Sequence, residues 1–244
     1  MENKQTLKVL SIDMDYILSP CINLYNDMIN ASKSPEKLWD TVNQVRQIDA
    51  HIDFDKDNLQ FLFKAFTSAL FKLSSQGTVM FATNHDAILF ELASQKYEND
   101  VFEVYNIDHH HDIYYSKEAM NEVMRYDIAT VGTWVWYLDK YKKMKQYNWV
   151  CNKNSTFPDK ELTSCAKMDA FLKEGITKIF EEEEWDVIFV CNSPHWFPRT
   201  YDIYFNMLID IYKNYSGKEV KVVEEIFSPN GKARPYPYDK KEKN

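Results

Sequence analysis

Three apolar runs in this chain each end in a knot of acids and histidines, and that pairing restricts the fold more than any other feature. The runs are LKVLSIDMD at 7–15, TVMFATNHD at 78–86 and VFEVYNIDHHHD at 101–112. Each is short, apolar and rich in β-branched or aromatic residues, the pattern of a buried strand. Open parallel sheets gather their sites at the carboxyl ends of their strands, so three polar tips of this kind predict one shared site.

On a strand, residues two apart share a face. Asp13 and Asp15 should therefore point together, as should Asp108, His110 and Asp112. Carboxylates held this close repel one another unless a cation lies between them. His85, directly after the second run, is read as a further ligand, while His109 and His111 should face away as supporting groups or substrate contacts. Together Asp13, Asp15, His85, Asp108, His110 and Asp112 supply four carboxylates and two imidazoles. That set suits two divalent cations bridged by carboxylates. With no cysteine among the ligands, two Mn²⁺ ions are favoured over structural zinc.

Between the strands the periodicity changes to helical. The spacing of Leu59, Phe63, Phe66, Leu70 and Leu73 predicts a helix over 57–74, closed by Gly77. Further helices are expected over 22–46, 86–97, 116–125, 130–141, 166–184 and 200–214. Further strands are expected at 147–151 and 185–192, with EVKVVEEIF as a last or edge strand. Strands alternating with helices imply an α/β fold of three layers, α/β/α, around a mostly parallel sheet. No linker divides the chain, so 1–244 reads as a single domain, with a tail over about 232–244 expected to be mobile.

Composition narrows the function classes. The formal net charge of −8 argues against broad binding to nucleic acid and tolerates a cationic substrate better than an anionic one. Five glycines assemble neither GxGxxG nor GxxxxGK[ST], which removes those phosphate-cradling loops. The four cysteines lie far apart without a CxxC pair, the pattern of reduced intracellular thiols. No apolar run reaches the roughly 18 residues of a membrane span, and the first residues turn acidic where an export signal would stay apolar. A cytoplasmic protein without membrane association is expected.

The clusters resemble the signatures of the ureohydrolase superfamily, which includes arginase and agmatinase. ATNHD (82–86) looks like its GGDHS strand end, DHHHD (108–112) like its DAHxD strand end, and SIDMDYILSP (11–20) like its SxDxDxxDP strand end. The last match holds at Ser11, Asp13 and Asp15, while Ser19 stands where the pattern has its later Asp. In arginases SxDxD comes last of the three and here it comes first, so an arginase-like sheet with permuted strand order is implied. SIDMDYIL, IDHHHDIYY and VGTWVWYL are together most similar to the peptide arginases, which convert arginine to ornithine within ribosomal peptides.

The resemblance implies metal ligation by His85, Asp108, His110, Asp112, Asp13 and Asp15, with Asp108 and Asp13 bridging. It implies hydrolysis of a guanidinium group to urea, with Asp112 and Asp15 as catalytic residues and Asp112 passing a proton to the departing amine. The substrate would be an arginine-containing peptide or a small guanidine, and a homo-oligomer is left open. A peptide substrate needs an open cleft, for which Trp134, Trp136, His195 and Trp196 are rim candidates. The shuttle histidine of arginase precedes a glycine; Val131-Gly132 is the nearest counterpart, leaving that role to His111 or His195.

DAHID at 49–53 spells the ureohydrolase pattern literally, but the polar TVNQVRQ before it offers no buried strand. It is expected not to bind metal, although Asp53, or Asp55 beyond it, suits contact with a cationic substrate. The alternative reading is a haloacid-dehalogenase-type Mg²⁺ phosphatase with Asp13 as nucleophile, MFATN as second motif and DHHHD as its acids. Three histidines between the acids serve no purpose in such an enzyme. A third reading, a non-catalytic binding module on the same fold, would not need the complete ligand set.

Overall fold

The structure is a computed structural model that describes residues 4–18, 54–113, 129–155, 168–194 and 197–224, together with Asn121 and Arg125. The expected helix over 22–46, most of that over 116–125, the DAHID segment and the tail lie outside these residues.

The described chain folds as an α/β structure around a sheet whose strand pairs are all parallel. The strands are β1 (Thr6–Asp13), β2 (Leu73–Ala82), β3 (Val101–Asp108), β4 (Met144–Cys151), β5 (Met168–Phe171), β6 (Trp185–Cys191) and β7 (Val222–Val223). Their order across the sheet is β5-β4-β3-β1-β6-β2-β7. The helices are α1 (Lys56–Phe71), α2 (Ile88–Leu92), α3 (Trp134–Lys140), α4 (Ile179–Glu182) and α5 (Asp202–Ser216).

Central strands are apolar on both faces because helices cover both. On β1, Leu10 and Ile12 join one buried cluster with Phe61, Leu62 and Phe66 of α1 and Phe205 and Leu208 of α5. Val9 points the other way, into a cluster with Leu89 of α2 and Trp134, Tyr137 and Leu138 of α3. These are the two outer layers of the α/β/α arrangement. Each fully buried side chain of this kind contributes about 1.5–3 kcal/mol. Among the described residues no helix is long and apolar enough to cross a membrane.

Several local expectations are corrected. Gly77 does not close a helix: α1 ends at Phe71 and Gly77 sits inside β2, where the pairing register with β6 shifts between Leu73 and Thr78. A Cβ there would lie 2.6 Å from Leu73 Cδ1 and 3.0 Å from the Ser74 carbonyl oxygen, so the bulge needs glycine. The helix expected over 166–184 is instead edge strand β5, a turn containing Gly175, and the short α4. Sheet pairing with Tyr147–Val150 of β4 overrides the helical propensity of MDAF. The helix expected over 86–97 is broken into α2 between two 3-10 turns. β4 begins at Met144, three residues earlier than expected.

Candidate metal centre

Sheet order brings the three polar tips together. β3 and β1 are neighbours in register, Ser11 beside Asn106, and β6 separates β1 from β2. Alternation along β1 and β3 then sends Ser11, Asp13, Asn106 and Asp108 to one face, toward α2 and α3. β2 ends at Ala82 and a short turn returns His85 to the tip of β1.

Two overlapping groups result. Ligand atoms of Asp13, His85 and Asp108 lie within 4.8 Å of one another, as do those of Asp15, Asp108 and His110. His85 Nδ1 stands 2.9 Å from Asp112 Oδ2, 3.2 Å from Asp108 Oδ2 and 3.3 Å from Asp13 Oδ2. It is aligned for a hydrogen bond with none of them. His110 Nδ1 lies 2.8 Å from Asp15 Oδ2 and 3.8 Å from Asp108 Oδ1. Asp108 thus offers one oxygen to each imidazole. Asp13, also expected to bridge, is found in the first group, and its Oδ1 accepts the Asp15 amide at 3.1 Å.

The route to this geometry differs from plain strand alternation. β1 stops at Asp13, which caps a 3-10 turn over Met14–Ile17 that carries Asp15. β3 stops at Asp108, and Asp112 reaches the centre only because its backbone turns left-handed, at φ 50°. Ser193, at φ 44°, is a second such residue at the site. Positive φ on non-glycine residues costs energy and persists where the surroundings enforce it.

Polar neighbours hold every acid in place. Ser193 donates its hydroxyl to Asp13 Oδ2 at 2.5 Å, and the Asn106 amide donates to Asp108 Oδ2 at 3.1 Å. The His110 amide donates to Asp108 Oδ1 at 2.7 Å, and the His109 amide to Asp15 Oδ1 at 3.3 Å. Ser11 Oγ lies 2.7 Å from His85 Nε2. Ser11, Asn106 and Ser193 were not singled out from sequence as holding residues. Ser11 and Asn106 sit two positions before Asp13 and Asp108, so alternation was the signal that could have found them.

Burial and crowding move the titrations. Burial, then the charges of Asp112 and Asp13, pushes Asp108 up to about 7. Burial and the neighbouring Asp15 raise Asp13 as well. For His85 burial opposes the proton, yet Asp112, Asp108 and Asp13 together hold it well above the ordinary imidazole range. His110, equally opposed by burial, is raised to about 9, chiefly by Asp15. Burial pushes His109 and His111 the other way, down to about 4. A centre that raises acids and imidazoles together carries surplus negative charge, which a bound cation would relieve.

Three expected substrate contacts are placed differently. Trp134 is fully buried and donates its indole N–H to Asp112 Oδ2 at 2.7 Å, so it supports the centre instead of lining an open rim. His111 is buried, accepts the Ile113 amide at Nδ1 and gives its carbonyl to Tyr147, which makes it part of the scaffold below the site. Asp55 caps α1 by accepting the amides of Asp57 and Asn58, and it pairs with Lys153 at 3.5 Å. Asp53, His195 and Trp196 lie outside the described residues.

Comparison of the chain with known protein families, curated proteins and solved structures found no match.

Proposed function

We propose that this protein is a binuclear-metal hydrolase of the arginase kind, acting on the guanidinium group of arginine in a peptide or of a small guanidine. The observation that carries the reading is Asp108, whose two oxygens face two different imidazoles, each accompanied by further carboxylates. Asp13, His85, Asp108 and Asp112 would hold one cation; Asp15, Asp108 and His110 would hold the other. The four carboxylates match the charge of two divalent cations, and oxygen with imidazole donors suits Mn²⁺. Two such cations supply Lewis-acid activation of water at neutral pH.

The chain's own residues prepare the rest. With a cation bound and the His85 ring neutral, Ser11 accepting from Nε2–H would leave the lone pair on Nδ1, the atom that faces the carboxylates. Asp112, fixed by the Trp134 indole, is the carboxylate suited to take a proton and return it to the departing amine. Acidic surroundings favour a cationic substrate. The phosphatase alternative fares less well, because the histidines between its two acids serve no purpose in a Mg²⁺ enzyme, whereas His110 Nδ1 stands 2.8 Å from Asp15 Oδ2 in the candidate centre.

The test is incubation with Mn²⁺ and an arginine-containing peptide, followed by mass spectrometry and urea assay. Loss of one cyanamide unit from the peptide with matching urea is expected. Phosphate release from a generic ester with no urea from any guanidine would replace this reading with the phosphatase.

A further inference from the structure

Asp112 is gripped by the first turn of α3. Its left-handed backbone is pinned where its carbonyl accepts the Val135 amide at 3.3 Å, and its Oδ2 accepts the Trp134 indole N–H at 2.7 Å. That same Oδ2 faces His85 Nδ1 at 2.9 Å. The Trp134 ring lies 5.0 Å from the His85 ring at an interplanar angle of 34°, and Phe189 stacks near the His85 ring at 5.6 Å and 13°. Tyr147 meets Trp134 edge-on at 6.4 Å and 88°. A buried tryptophan needs some acceptor for its N–H. Here the acceptor is a candidate metal ligand, and the ring borders a second one.

We propose that Trp134 is a positioning residue of the metal centre: its indole N–H sets the rotation of the Asp112 carboxylate, and its ring, with Phe189, sets the plane of His85. The inference rests on the two-metal reading above. Both side chains are thereby held in advance in the orientation that ligation of the first cation requires. Neither would have to give up rotational freedom on binding. Outer partners of this type are worth about 10–100-fold in metal affinity.

Trp134→Phe keeps a buried aromatic ring, removes the donor and leaves a small cavity, which lowers stability and is read separately by denaturant unfolding. Calorimetric titration of the metal-free protein with Mn²⁺ is expected to show one of two binding events weakened about 10–100-fold, the other little changed. In an Asp112→Asn background the Phe substitution is expected to add no further weakening, because its target has already been altered. Fully additive losses would mark Trp134 as a packing residue and overturn the proposal. Equal affinities in wild type and Trp134→Phe would also overturn it and leave the two-metal reading standing. A wild type that takes up no divalent cation overturns both. Should Trp134→Phe fail to fold, indole N–H resonances of wild-type protein decide: the Trp134 signal is expected to shift on adding diamagnetic Zn²⁺, and an unmoved signal refutes the proposal.

Discussion

Both oxygens of Asp108 face an imidazole, Oδ2 at 3.2 Å from His85 and Oδ1 at 3.8 Å from His110, so the two halves of the centre meet in one side chain. Asp108→Asn is expected to weaken binding of both cations and to reduce activity by about 10²–10³-fold, the range for removing one essential electrostatic group. Asp13→Asn and His110→Ala should likewise lose metal and activity while circular dichroism shows the fold retained; full activity in any of them would refute the ligand assignment. A pH dependence follows for the metal-free protein. His110 keeps its proton to about 9 instead of 6.5, and His85 shifts in the same direction. The folded state therefore binds more protons than the unfolded state between pH 6.5 and 9, and stability falls as pH rises through that window. Asp108, raised to about 7, acts in the same sense; His109 and His111, lowered to about 4, oppose it only below 6.5. Melting in chelator should show Tm falling from pH 6.5 to 9, and saturating Mn²⁺ should remove the fall. The residue types of the centre were legible in SIDMD, NHD and DHHHD because carboxylate and imidazole have few other reasons to cluster at apolar strand ends. The holding contacts were not, because Ser193 and Trp134 reach the acids from 180 and 22 positions away in sequence.

At the scale of elements, strands with continuous apolar runs were legible and short edge pieces were not. β3 matches its expected span of 101–108, because its register is fixed by burial on both faces. β5 was missed because four residues with a half-exposed pattern carry no periodicity of their own and depend on β4 for pairing. The turns after Asp13 and Asp108 were also hidden, since alternation cannot report where a strand stops. Gly77 was read as a helix end, although the real signal was a bulge that only glycine fits. Gly77→Ala should therefore destabilise by about 1–3 kcal/mol, the usual range for overpacking, measured by denaturant unfolding. The C-terminus of α3 offers a change of opposite sign. Lys142 is exposed at φ 55°, just past the helix, with its amide on the Asp139 carbonyl. Lys142→Gly should stabilise by about 0.5–1 kcal/mol, because glycine takes this conformation without the Cβ penalty. A loss of stability would show that the side chain matters more than the backbone there.

For the whole molecule, alternation of strands and helices sufficed to specify a three-layer α/β fold, whereas the strand order did not follow from it. The order β3-β1-β6-β2 decides which tips can meet, and it arises from pairings between strands distant in the chain, such as Ser11 beside Asn106. A cation held by three such tips would couple its binding to the integrity of the sheet. Cations that bind the folded state alone raise stability by mass action, about 2.7 kcal/mol at 100 times Kd for one site. For a chain of 244 residues that corresponds to a rise in Tm of roughly 5–10 °C. The most direct test of the central claim is diffraction from Mn²⁺-loaded crystals, with anomalous scattering recorded at the manganese edge. Two peaks are predicted, one on each side of the Asp108 carboxylate, the first among Asp13, His85 and Asp112 and the second beside Asp15 and His110. A single peak, or none within reach of Asp108, would contradict the account.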